Sequence, residues 1–184
     1  MMTIRPSVLL FFFLCIRILQ SAVVVDNSPQ ISTTTSSSSA VDEAFFACAR
    51  SGDVNKLESY IEKDPLLVQA RDAKGNSALV IAAGRGQIAV IKLLLTYRAN
   101  VEDTTQHGLF EGKSALSWAA SQGRADAVAV LLQAGANPHR TAENGVFWGK
   151  GPLMWASSQG RTEVLRLLLI AGVDVNHSSN EGDE

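Results

Sequence analysis

Cysteine and histidine are scarce in this chain of 184 residues, two and three respectively, and no run of lysine or arginine occurs. Each shortage excludes something. Cys15 lies in an apolar N-terminal run; once that run is removed Cys48 stands alone, and no internal disulfide can form. Stability must then come from packing. Cys48 sits where a small residue is wanted and reads as buried and inert. His107, His139 and His177 fall in separate turns, and a metal site wants clustered His, Cys or carboxylates. No metal or cofactor is expected. Neither a Gly-x-Ser-x-Gly elbow nor a phosphate-binding P-loop is present, and Glu102-Asp103 reads as a solvated acidic pair. Net charge is −2 with cations scattered singly, which gives no footprint for nucleic acid or an anionic surface. Catalysis therefore stands only as an alternative, an enzyme with an unrecognised site.

What is present divides into three regimes. Residues 1–25 read as a signal peptide: Arg5 supplies the basic start, Val8 to Ile16 an apolar run, and Ser21-Ala22 small residues. Gln20 makes the cleavage site poor. A retained signal anchor is the alternative, since Val8 to Val25 approaches the ~20 residues of a span. Arg17 interrupts it, at a cost of about 2.5–3.5 kcal/mol on insertion scales. Residues 26–41 are Ser/Thr-rich, without apolar periodicity, and read as a disordered linker. Expected localisation is the secretory pathway or outside the cell. A membrane-anchored form and a plastid reached through a bipartite leader are the alternatives.

The third regime repeats itself. Gly75-Asn76-Ser77-Ala78-Leu79, Gly112-Lys113-Ser114-Ala115-Leu116 and Gly149-Lys150-Gly151-Pro152-Leu153 start 37 residues apart. Gly86, Gly123 and Gly160 keep that spacing, as do Leu94-Leu95, Leu131-Leu132 and Leu168-Leu169. A fixed period in this range signals stacked units. Each unit predicts a first helix of small residues (78–85, 115–122, 152–159), a glycine stop, and a second helix (88–97, 125–134, 162–171). Val90, Ile91, Leu94 and Leu95 give the second helix one apolar face. A degenerate unit precedes these, with helices at 43–50 and 54–63 and Gly52 between them.

These units resemble ankyrin repeats, in the Ala-Ala-x-x-Gly, Leu-Leu and Gly-Val-Asp-Val-Asn elements of residues 42–177. The resemblance implies an all-α, helix-turn-helix solenoid with extended hairpin fingers, in units of about 42–71, 72–108, 109–145 and 146–177. An acidic tail, 178–184, follows. The Thr-Pro-Leu-His tetrad of the family reads Ser77-Ala78-Leu79-Val80, Ser114-Ala115-Leu116-Ser117 and Gly151-Pro152-Leu153-Met154 here. Ser77 and Ser114 remain able to cap their helices, at ~1 kcal/mol each. The family unit is about 33 residues; the extra residues fall in the fingers, at Gln106–Gly112 and Glu143–Gly149.

The resemblance implies a scaffold that binds another protein through fingers and concave helix face. Candidate contacts are the fingertip residues Lys74, Asn76, Lys113 and Lys150, the helix-end residues Arg85, Gln122 and Gln159, and Trp148. Phe110 and Phe147 are either partner contacts or a ladder between fingers, and the ladder is favoured. Trp118 and Trp155, equivalent to Ile81, read as core. Asn176-His177-Ser178 fits an N-glycosylation acceptor. The last second helix lacks a following unit over Val164, Leu165, Leu167, Leu168 and Ile170, which suggests weak self-association. A membrane-tethered structural adaptor is the alternative function, and requires that the leader is retained.

Overall fold

In the computed structural model, residues 35–143 and 145–174 are described, with side chains from Ala40 onward. The leader, the linker up to residue 34, Asn176 and the acidic tail lie outside the described residues. Those described contain eight helices and no extended strands. In chain order they are α1 (Thr35–Ser51), α2 (Val54–Lys63), α3 (Ala78–Arg85), α4 (Ile88–Thr96), α5 (Ala115–Ser121), α6 (Ala125–Gln133), α7 (Pro152–Ser158) and α8 (Thr162–Ile170). Among them none is long and apolar enough to cross a membrane.

Local chemistry sets these boundaries. Ser77 Oγ accepts the Val80 N–H and Ser114 Oγ accepts the Ser117 N–H, which caps α3 and α5. Pro152 starts α7, where a missing N–H costs nothing. Gly86 ends α3 at φ 75°, a left-handed conformation that a side chain disfavours by about 1–2 kcal/mol. The same glycines also make room. A Cβ on Gly86 would lie 2.9 Å from Arg124 Cδ, and one on Gly123 would lie 2.8 Å from Arg161 Cδ. Each helix stop is thus the seat of the next unit's arginine stem, and Arg161 Nε donates to the Ser121 carbonyl at 3.2 Å.

Two layers result. First helices α3, α5 and α7 pack side by side, and second helices α2, α4, α6 and α8 do the same behind them. Ala82, Ala83, Ala119, Ala120 and Ala156 are fully buried in the first layer, where small side chains allow close approach. Leu94, Leu131 and Leu168, at one position of three units, are fully buried behind them. Each contributes roughly 1.5–3 kcal/mol of apolar burial. No such helix pair hides its apolar side alone, so the stack is the folding unit.

The start of the array differs from the expectation. Helix α1 begins at Thr35, inside the stretch read as linker. Phe45 and Phe46 anchor it, both buried and packed edge to face at 5.5 Å. Once that turn is fixed, adding residues upstream costs little, because propagation is far easier than nucleation. A 3-10 turn, Pro65–Gln69, follows α2 and buries Leu67 and Val68.

Candidate interaction surface

Each unit begins with a finger, and the three fingers are built differently. The first is a tight turn bridged between Arg71 and Ser77. Asp72 Oδ1 accepts the N–H groups of Lys74 and Asn76, both at 2.9 Å. The second is bridged at Thr104 and Ser114. Thr105 N donates to Lys113 O at 3.0 Å, and Gly112 N to Thr105 O at 2.8 Å. The third repeats this pattern, Ala142 N to Lys150 O at 3.2 Å and Gly149 N to Ala142 O at 2.8 Å. The extra residues form loops beyond these bonds.

Successive fingers lean on one another. Gln106 N donates to Gly75 O at 3.0 Å, and a Cβ on Gly75 would lie 2.8 Å from His107 N. Thr105 Oγ1 donates to Asn76 Oδ1 at 2.9 Å. Arg71 clamps the second finger through Asp103 and, at 2.7 Å, the Thr104 carbonyl. Arg140 of the third reaches Glu102 at 3.3 Å, and Glu102 also accepts the Asn137 N–H at 2.6 Å. Glu102 and Asp103, expected as a solvated pair, therefore each hold a neighbouring unit.

An aromatic cluster props the two long fingers. The Phe110 and Phe147 rings stack at 5.3 Å and 13°. Trp118 meets the edge of Phe110 at 5.1 Å, and Trp155 that of Phe147 at 4.9 Å. The favoured ladder is what the two phenylalanines form. Trp118 Nε1 donates to Thr105 Oγ1 at 2.9 Å, tying the helix to the finger base. Trp155 is buried, and its Nε1 has no acceptor among the described residues.

Lys113 lies in the middle of this cluster. Expected on the exposed surface, it is only 2% exposed. Its Nζ donates to Ser121 Oγ at 2.8 Å and sits 3.7 Å from the Trp155 ring centre and 4.1 Å from that of Trp118. Burial pushes the ammonium down from 10.5 to about 8. Two ring faces and a hydroxyl replace the water it has lost. Lys113 is thus a strut of the finger. Lys150, its equivalent, is half-buried with Nζ 5.0 Å from the Phe147 ring centre.

The other candidates divide clearly. Asn76 is half-buried and held by Asp72 and Thr105, so it too is a strut. Lys74, Arg85, Gln122, Gln159 and Trp148 are exposed. Sequence reasoning missed two fingertip residues. Leu109 is 67% exposed and its equivalent Val146 is 72% exposed, beside Trp148 at 55%. Two hydrophobic residues at one position of neighbouring loops, each before a buttressed phenylalanine, were the available signal. Between the first two fingers and the ends of α3 and α5 runs a groove lined by Lys74, Arg85, Trp118, Gln122 and Arg124. On α8, Val164 and Leu168 turn out to face inward, while Leu169 and Ile170 are exposed.

Comparison with known proteins accords with this architecture. Residues 45–142 match ankyrin repeats in three copies, and residues 148–180 match one further ankyrin repeat. An ankyrin repeat-containing protein of Schizosaccharomyces pombe is 40% identical over 57 residues. That match covers 31% of this chain and 38% of the yeast protein.

Proposed function

The chain belongs to the ankyrin repeat family, whose repeats are generally protein-interaction scaffolds, and from that premise we propose that it captures a protein partner on its lengthened fingers and the groove beside them. One observation carries the reading. Leu109, Val146 and Trp148 stand in water on neighbouring fingertips while the phenylalanines next to them are stacked on each other and half-buried. A fold that needed only to bury its apolar surface gains nothing from these three. Contiguous exposed apolar residues on a rigid support mark association surfaces, and aromatic residues anchor them. The backbone beneath is already fixed by hydrogen bonds and stacking, so ordering costs little on binding. Catalysis is not part of the proposal. We further propose that residues 1–25 send the scaffold into the secretory pathway, on the strength of Arg5 and the apolar run after it.

The test is partner recovery by proximity labelling and pull-down with the full chain, followed by the triple variant Leu109→Ala, Val146→Ala, Trp148→Ala. The expected result is a loss of affinity of about tenfold or more for the recovered partner, with an unchanged melting profile. Equal affinity in a folded triple variant contradicts the finger reading.

A further inference from the structure

We propose that the groove beside the first two fingers takes an acidic peptide segment bearing one large apolar side chain. The proposal rests on the interaction-scaffold reading and names the chemistry of the partner at that surface. The chain as a whole is acidic, with a net charge of −2, but this groove is not. Lys74, Arg85 and Arg124 line it, all exposed and none in an ion pair among the described residues. Asp72, the acid in the same groove, is already committed. It pairs with Arg50 at 3.4 Å and accepts from the Asn76 side chain at 3.2 Å. Three cations without counter-charge therefore share a cavity of about 370 Å³.

Like charges on one rim repel, and an anionic ligand relieves that repulsion while gaining attraction of its own. Two of the cations are guanidinium groups, which match the fork of a carboxylate. Arg124 is also pre-positioned, because its stem lies over the bare Cα of Gly86. Next to this cavity, and sharing Lys74, Asn76 and Trp118 with it, is a second of about 420 Å³. Leu109, Phe110 and Trp118 give that second recess an apolar wall. A cationic rim continuous with an apolar recess is complementary to carboxylates flanking one hydrophobic side chain. Nucleic acid fits less well, since three cations make no stripe along which a phosphate backbone could run.

The experiment is fluorescence anisotropy with the full chain and defined probes. One probe is a fluorescein-labelled peptide of glutamates flanking a single central tryptophan. The second has lysine for every glutamate, and the third is a labelled oligothymidylate. The acidic peptide is expected to bind at least about tenfold more tightly than the other two, and to weaken as salt rises. Lys74→Glu with Arg85→Glu, two exposed residues, is expected to lower its affinity about tenfold or more without moving the melting profile. The same variant is expected to favour the lysine peptide instead. Equal binding of the two peptides, tighter binding of the oligothymidylate, or indifference to the charge reversal in a folded chain each overturns the proposal. A cellular partner lost by the fingertip triple variant but retained by the charge-reversed chain sinks this inference alone and leaves the scaffold reading standing.

Discussion

Gly75→Ala is expected to destabilise the array by about 3 kcal/mol, one of the two largest effects of any single change on the finger side. Two costs combine. Gly75 has φ 74°, where a Cβ is disfavoured by about 1–2 kcal/mol. That Cβ would also meet the backbone nitrogens of His107 at 2.8 Å and Gln106 at 3.0 Å, and backbone cannot move aside as a side-chain end can. The finger-to-finger bond from Gln106 N to Gly75 O would stretch with it. Gly108→Ala is the control. Gly108 has φ 85° but nothing within 4 Å of an added Cβ, so only the backbone cost of about 1–2 kcal/mol applies. Urea denaturation of the two variants checks the difference. Equal destabilisation would mean that the first two fingers do not bear on each other.

The second large effect belongs to Trp155. Trp155→Ala removes a buried ring and is expected to cost about 3–5 kcal/mol. It also uncovers Lys113, whose ammonium lies 3.7 Å from the ring centre. That coupling gives a pH signature. The amine takes its ordinary value of 10.5 in the unfolded chain and is pushed down to about 8 in the folded one. Between those values the unfolded chain holds more protons, so the Lys113 contribution to stability rises with pH from about 8 to about 10.5 and is level below. The rise is expected to be about 1–2 kcal/mol, less than the full shift implies, because the rings favour the cation and solvent screens part of the field. Cys48 and Tyr97 are held above their ordinary values by burial, and Lys56 by its bond to Asp53, and these act in the opposite sense. The wild-type curve minus that of Lys113→Met isolates the term. In Trp155→Ala, with the amine returned to water, the alkaline rise is expected to vanish. A rise that survives Lys113→Met would have another source.

Much of the architecture was legible in the sequence. The helices of the three regular units fall within one residue of those predicted, because glycine stops recur at a constant phase and the first helices start at a serine cap in two units and at Pro152 in the third. Ser77, Ser114 and Gly86 do locally what their residue types dictate. The contacts between units were less legible. Asp103 meets Arg71 and Glu102 meets Arg140, partners about one unit away, so neighbouring residues in the chain gave no hint of them. Lys113 was misjudged because a lysine on a finger is ordinarily solvated. A signal was present in the alignment of the units. Where the finger is short, Asn76 and Ile81 occupy the positions that Lys113 and Trp118, then Lys150 and Trp155, take where it is long. Lengthening, a tryptophan and a lysine arrive together, as they must if ring faces and an ammonium jointly hold the loop. The exposed tips, Leu109 and Val146, were missed because periodicity cannot tell a packed apolar residue in a loop from a solvated one.

The long fingers are rigid members of the stack, with their tips presented on a fixed support. Amide hydrogen exchange measures this directly. Thr105, Gly112, Ala142 and Gly149 donate the backbone bonds that close the two long fingers. Their amides are expected to exchange about a hundredfold more slowly than an unstructured chain, in step with the helices they lean on. Exchange at free-chain rates there, with α5 and α7 still protected, would mean that the fingers move independently of the stack and offer no fixed support to their tips.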